Sequence, residues 1–404
     1  MIKLGLEATG KSLLKISNQS QPIVHIAGTN GKGSTSAFID GLLRSLDYKV
    51  GRFNSPHLVE EFDSLIIQGK PISSTVYYNL VHQLETQDDN YKKLTNFEKL
   101  TVSAFNLFSQ QEIDVGIIEV GMGGLLDATN AFSRESRDSI AVITPIALDH
   151  ISWLGDNIID ITKQKIGIIT SKTKAAIVAP QIHHQVIGLI RERCEELKVP
   201  VYFNDRPGEL VNPINGDIIN AQLRMAGKHQ IENASTALLA VHALQKHCEH
   251  FKAIDLSANN EISNTLNQVS FHGRSDRDVL PGVIVDGAHN PAAMQLLRDS
   301  LSEDQAYTFI LGFSQDKDVD DMLRILIRAR DTVIFVPFSS IPSMPWVKNM
   351  NTTTLKAKTD ELFENSVDVG VSNNLPEALQ LAGKSGKKVV ITGSLYLIAD
   401  VYRL

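Results

Sequence analysis

Two α/β domains on mostly parallel sheets are the fold this sequence predicts, and three observations predict it. The chain has 404 residues, more than one hydrophobic core usually organises. Apolar β-branched runs alternate with helix-period segments, the β-α-β rhythm of a parallel sheet covered by helices on both faces. That rhythm breaks between about residues 200 and 280 and then restarts, so the last stretch is expected to be a second, smaller α/β domain.

The first-domain strands are expected at IVHIA (23–27), YKVGRF (48–53), DVGIIEV (114–120), SIAVITPI (139–146) and AAIVAP (175–180). Phe38, Ile39, Leu42, Leu43 and Leu46 share one helical face, which puts a helix start near Ser34. TQDDNYKK (86–93) is expected as a solvated loop. FNDRPGEL and NPINGD suggest an antiparallel excursion, followed by a helix from about His229 to His247. After residue 281 the strands are VIVDGA, TFILGFS, TVIFVPF, VDVGVS and VVITGS, with helices beginning at Pro291 and in DVDDMLRILIRA, LPEALQLAG and LYLIADVYRL.

Bulk chemistry narrows the function. Net charge is −7, from 39 basic and 46 acidic residues, so nothing draws the chain generally to nucleic acid or an anionic membrane. An anionic ligand must be held locally. No apolar run approaches the ~18 residues of a membrane span. Cys194 and Cys248 both fall in helical patterns, which fits a reducing compartment. MIKLGLEATGKSLLKI has neither the arginines of a transit peptide nor the long apolar run of a signal peptide, so a cytoplasmic protein is expected.

Ligands of open parallel sheets bind beyond the carboxyl ends of the strands. Four expected strands end in polar clusters there: AGTNGKGS, NSPH (54–57), EVGMGG (119–124) and LDH (148–150). The first is not the usual phosphate-loop pattern, because Gly33 separates Lys32 from Ser34. Its lysine, glycines and following helix nevertheless make a compact anion nest, with a plain strand-to-helix turn as the alternative. Ser55, Glu119 and His150 are candidate ligands of a divalent cation. Taken singly they fit turn chemistry, a buried hydrogen-bonded acid and a helix cap. A buried Glu119 is costly without a partner, which favours the cation. Lys165 alone is most simply a solvated helix lysine. DGAHN (286–290) and TGS (392–394) occupy equivalent strand ends in the second domain, where an ordinary turn and Ser394 as a helix cap are the alternatives.

Together these motifs resemble the folate branch of the Mur-ligase superfamily, dihydrofolate synthase and folylpolyglutamate synthase. HIAGTNGKGST, FNSPHL, LTNFEKLT, EVGMGGLLDATN, LDHISWLGD, GKHQIENAS, GRSD, DGAHNP and GSLYL carry the resemblance in order along nearly the whole chain. It implies a Mur-ligase-like fold, with a P-loop-type ATPase domain over 1–277 and a Rossmann-like α/β domain over 281–404. It implies an ATP-dependent amide ligase that joins L-glutamate to a pteroate or folate carboxylate through an acyl phosphate. Thr29, Asn30, Gly31, Lys32, Gly33 and Ser34 would hold the ATP phosphates, and Asn233, Arg274 and Asp286 would contact ATP. Ser55, Glu119 and His150 match magnesium ligands, and Lys165 matches a lysine carbamylated to serve a second Mg²⁺. Lys32, Glu119, His150 and Lys165 would thus carry catalysis. Thr95, Phe97 and Glu98, with Leu126, Asp127 and Ala128, match segments holding the pterin. His289 and Ser394 match the glutamate side. The partners implied are small molecules, and a monomer is the family default.

Three stretches depart from the family pattern. Leu125 stands where an arginine is usual, Gln164 and Ile166 flank the modified lysine in place of Glu and Ala, and VEEFDSLII inverts the charge usual after SPHL. The short lead before the ATP loop and the modest length resemble the fungal monofunctional dihydrofolate synthases, so dihydropteroate is the expected acceptor. Polyglutamylation of tetrahydrofolate is the runner-up, and an inactive folate- or nucleotide-binding relic is the alternative of another class.

Overall fold

The computed structural model describes residues 6–16, 21–134, 138–274, 276, 279–341, 344 and 346–404. They form two compact units: one runs through residue 269 apart from 225–227, and the other comprises 225–227 and 270–404.

The first unit holds eight strands: β1 (Ile23–Ala27), β2 (Val50–Phe53), β3 (Leu65–Ile67), β4 (Lys70–Pro71), β5 (Val115–Glu119), β6 (Ser139–Ile143), β7 (Thr173–Val178) and β8 (Val201–Phe203). They lie in the order β4-β3-β2-β5-β1-β6-β7-β8. β3 pairs antiparallel with both β2 and β4, and the other named pairings are parallel. β1, β2, β5 and β6 are buried along their whole length, as parallel strands covered on both faces must be. The chain leaves β1 for β2 and β5 on one side and takes β6, β7 and β8 on the other. This reversal opens a crevice at the carboxyl ends of β1, β5 and β6. Pairing of Ile26 with Glu119 and of Ala27 with Ile143 brings those strand ends level.

Two local expectations change. TQDDNYKK is not a solvated loop: Tyr91 is fully buried and Asp88 nearly so. Asp88 accepts from Ser12 and Lys15, and the Tyr91 hydroxyl meets Ser103, so this polar stretch anchors the helix Glu7–Leu13 to the core. Between 204 and 227 there is no strand. The antiparallel excursion there is one isolated bridge, Val211 to Ile218, before the helix Lys228–His247.

The second unit has β9 (Val283–Val285), β10 (Tyr307–Leu311), β11 (Thr332–Phe335), β12 (Asp368–Val371) and β13 (Lys388–Thr392), all parallel in the order β12-β11-β10-β13-β9. Phe309, Leu311, Phe313, Leu323 and Phe335 lie at the centre of its core. Asp276 bridges Val285, and the Tyr402 hydroxyl donates to the Asp276 carboxylate, so residues before the expected 277 boundary pack with this unit.

Candidate active site

The glycine loop is shaped by close approach. Gly28 has φ +152°, and a Cβ there would stand 1.9 Å from Thr144 Oγ1. Gly31 has φ +85°, a left-handed conformation, and a Cβ there would meet Asn233 Oδ1 at 2.5 Å. Thr29 and Asn30 N–H groups both donate to Pro145 O, and Thr29 Oγ1 donates to Ala147 O at 3.0 Å. The helix Lys32–Ser45 starts directly after Gly31, two residues before the expected Ser34. Its first-turn N–H groups lack intrahelical acceptors and face the loop's end, as an anion site requires. Asn233 is held by Gln230 at 3.0 Å and by Thr35 at 3.4 Å.

Lys32 Nζ donates to Thr29 O at 3.0 Å and lies 3.8 Å from Glu119 Oε1. Glu119 is 5 % exposed at the end of β5. A carboxylate so buried needs partners, and Lys32 and Asn54 are among them: Asn54 Nδ2 donates to Glu119 Oε2 at 2.9 Å. Ser55 Oγ donates to Val120 O at 3.1 Å, which sets its hydroxyl beside the residue after Glu119.

Lys165 is no solvated lysine. It is 3 % exposed in the helix Ile158–Ile166, and its Nζ donates to Gly28 O at 2.8 Å. Burial, then the charge of Lys32, lowers its pKa from 10.5 to about 7, against the pull of Asp149 and Asp127. His150 precedes the short helix Ile151–Leu154 with φ 52°, and its side chain makes no cap bond. Its exposed ring has Nε2 3.9 Å from Asp149 Oδ2.

In the expected pterin segments, two acids serve the local backbone. Asp127 accepts from Met122 N at 2.8 Å and from Thr129 N and Oγ1 at 3.0 and 2.6 Å. Burial raises its pKa and these bonds oppose the rise. Glu98 closes a capping box with Thr95 and accepts from Thr9 at 3.2 Å. Phe97 stacks on Phe53 with centroids 5.9 Å apart and packs against Gly121. Ala128 is buried, whereas Leu125 and Leu126 are 41 % and 42 % exposed.

Sequence reasoning passed over two buried residues. Asn54 looks like turn chemistry before Ser-Pro; its signal was the i, i+2 spacing from Arg52, which puts two polar side chains on one face of a buried strand. His25 meets Thr129 Oγ1 at 2.9 Å. That hydroxyl gives its proton to Asp127, so His25 donates from Nε2, and burial, which lowers its pKa to about 3, keeps the ring neutral.

In the second unit, Arg274 Nη1 would stand 3.4 Å from a Cβ on Gly287. Ser275 of the same motif lies outside the described residues. Asp286 Oδ1 accepts from Ala288 N at 2.9 Å, and His289 Nδ1 lies 2.9 Å from Gly287 O. Ser394 caps the helix Leu395–Tyr402, as its bland reading held.

Among the described residues, no group of three or more His, Cys, Asp and Glu side chains forms a ready metal cage. The expected set takes only Glu119 and His150 from those types. A buried carboxylate and a hydroxyl at an anion nest nevertheless fit Mg²⁺, which needs one or two protein ligands when phosphate and water supply the rest. No described helix is long and apolar enough to cross a membrane.

Comparison with known proteins identifies the family. Residues 26–241 match the Mur ligase middle domain and residues 256–404 the dihydrofolate synthetase C-terminal domain. The dihydrofolate synthetase of Saccharomyces cerevisiae is 32 % identical over 100 % of this chain and 98 % of its own. Folylpolyglutamate synthase of Mycobacterium tuberculosis, solved with ADP and AMPPCP, superposes with a TM-score of 0.83 at 28 % identity, covering 98 % of this chain and 94 % of that one. The bifunctional folylpolyglutamate synthase/dihydrofolate synthase of Yersinia pestis, solved with AMPPNP and a Mn ion, gives 0.81 at 28 % identity, covering 100 % and 93 %. With its glycine loop, its order of motifs and these full-length matches, the chain belongs to the Mur-ligase family, in the branch of the dihydrofolate and folylpolyglutamate synthases.

Proposed function

We propose that this protein is an ATP-dependent ligase joining L-glutamate to 7,8-dihydropteroate, with release of dihydrofolate, ADP and phosphate. The observation that carries the reading is the dihydrofolate synthetase C-terminal domain over residues 256–404, in a chain matched end to end by the yeast synthetase.

The chemistry follows from the residues. The pteroate carboxylate attacks the γ-phosphorus of ATP, the bond to ADP breaks, and an acyl phosphate forms. The glutamate amine then attacks the acyl carbon; the C–N bond forms, phosphate leaves with the bridging oxygen, and the nitrogen loses its proton. Charge develops on phosphoryl and tetrahedral oxygens, where preorganised N–H donors and cations act most strongly. Thr29 to Ser34 bind the phosphates, and Lys32 sets its ammonium against the transferred group. Asn233, Arg274 and Asp286 contact the nucleotide.

Ser55, Glu119 and His150 would hold one Mg²⁺, and a carbamylated Lys165 would serve a second. When bound, the ions neutralise phosphate oxygens. Carbamylation requires the neutral amine to attack CO₂, forming N–C and shedding a proton; a lysine lowered to about 7 supports this. Phe97, Leu126 and Ala128 face the pterin, while Thr95, Glu98 and Asp127 hold the backbone that presents them. His289 and Ser394 serve the glutamate. The enzyme acts as a cytoplasmic monomer.

Polyglutamylation of tetrahydrofolate stays as a second reading, because the Yersinia pestis relative is named for both activities. The deciding experiment is ADP release with ATP, Mg²⁺ and glutamate, offering dihydropteroate or tetrahydrofolate and confirming product by mass. Turnover with dihydropteroate alone supports the first reading. Turnover with tetrahydrofolate alone replaces it, and silence in both from folded protein leaves a binding relic.

A further inference from the structure

Asn54 stands between the phosphate loop and the proposed cation carboxylate. One Nδ2 proton goes to Ser36 Oγ at 2.7 Å and the other to Glu119 Oε2 at 2.9 Å. Ser36 Oγ has already given its own proton to Gly33 O at 2.7 Å, so towards Asn54 it can only accept. Glu119 likewise only accepts when ionised. Both partners therefore demand the amide nitrogen, and the Asn54 side chain has a single allowed orientation. Its cost is visible: Oδ1 is buried without a hydrogen-bond partner, in a residue 5 % exposed. Such a group is ordinarily destabilising. A strand end that tolerates this is retaining the two donor bonds.

Those bonds divide the labour of the Glu119 carboxylate. Oε2 is held from behind by Asn54, while Oε1 is the oxygen near Lys32. We propose that Asn54 is a positioning residue for Glu119, the middle of a buried chain, Gly33 O to Ser36 to Asn54 to Glu119, that ties the phosphate loop to the cation carboxylate. The chain aims Oε1 at the phosphate side and couples the carboxylate's orientation to the backbone carrying the nest. This rests on Glu119 being a cation ligand, and it adds a residue outside the ligand set to the reading above.

The test is Mn²⁺ binding to the full-length protein with ADP, followed by the EPR signal of free Mn²⁺, beside ADP binding in EDTA. Loss of an outer-shell partner typically weakens a metal site 10–100-fold, so Asn54→Ala is expected to weaken Mn²⁺ by about tenfold or more, with ADP in EDTA held within about twofold. Ser36→Ala, a small change inside a helix, is expected to weaken Mn²⁺ by about threefold by loosening the amide. A general packing defect would move both ligands together and would overturn the proposal. So would Mn²⁺ affinity within about twofold of wild type in folded Asn54→Ala, or in Ser36→Ala should Asn54→Ala fail to fold. Glu119→Gln separates the two levels. If it loses Mn²⁺ while Asn54→Ala keeps it, Asn54 alone is misassigned; if it keeps Mn²⁺, Glu119 is no ligand and both readings fall.

Discussion

Lys32 and Lys165 donate to neighbouring carbonyls of one turn, Lys32 Nζ to Thr29 O at 3.0 Å and Lys165 Nζ to Gly28 O at 2.8 Å. Their ammonium groups repel across that turn, and the charge of Lys32 is the second cause, after burial, of the low pKa of Lys165. The two lysines are not equivalent. The Lys32 side chain is 17 % exposed and beside Glu119, where an arriving anion can meet it, whereas Lys165 is sealed beneath the loop.

Lys32→Ala is therefore expected to abolish ligation without unfolding the protein. Removing one preorganised donor from a transition state costs about 10²–10³ in kcat, and Lys32, held beside the phosphate nest, belongs to that class. ADP release with dihydropteroate, with circular dichroism as the folding control, measures it. An active Lys32→Ala enzyme refutes the assigned role.

Lys165 predicts a pH dependence of stability. Its folded pKa is about 7 and its ordinary value 10.5, so between these the unfolded chain binds more protons. Stability should rise with pH across that window, with the burial penalty complete below it. Urea unfolding in carbonate-free buffer should show this rise in wild type and a flatter profile in Lys165→Met. Parallel profiles would mean that Lys165 is not buried as a titrating amine.

How much of this was legible in sequence depended on the kind of signal. Strand ends and glycine turns carry their own composition, so β1, β2, β5 and β6 and their polar loops lie close to where periodicity put them. Tyr91 and Asp88 were hidden because burial of a polar stretch comes from a distant partner, here the helix Glu7–Leu13, and no local pattern encodes it. Lys165 was hidden for the same reason. Asn54 and His25 sat inside quoted motifs, yet their importance lies in where each proton goes, which only the three-dimensional donors and acceptors decide. Leu125, the departure from the family pattern, is half-exposed, and its N–H donates to Gln164 O at 2.7 Å. That backbone bond does not depend on which side chain stands at 125.

His25 predicts the opposite limb of the pH profile. Its folded pKa of about 3 lies below the ordinary 6.5, so between these values only the unfolded chain takes up the proton. Stability should fall as pH drops through that window. His25→Leu should lose part of the acid slope in urea midpoints; an unchanged slope would show that other groups set it.

Thr129 links His25 to Asp127, because its hydroxyl both accepts from His25 Nε2 and donates to Asp127 Oδ1, and it supplies the sharpest test of that relay. Valine has nearly its shape and neither function. Thr129→Val leaves the His25 donor unanswered, while Asp127 Oδ1 loses one bond and still accepts from Thr129 N, so a loss of about 1–3 kcal/mol is expected. Thr129→Ser keeps the hydroxyl and loses one methyl, worth about 0.8 kcal/mol. The ordering matters more than either value. If urea midpoints place valine clearly below serine, the hydroxyl relay rather than packing secures the 121–130 loop on β1. If serine is as destabilised as valine, the methyl's packing dominates and the relay contributes little. The same pair separates stability from function, since a loop loosened at Asp127 also loses its hold on Met122 N and should raise the KM for the pterin acceptor in valine before serine.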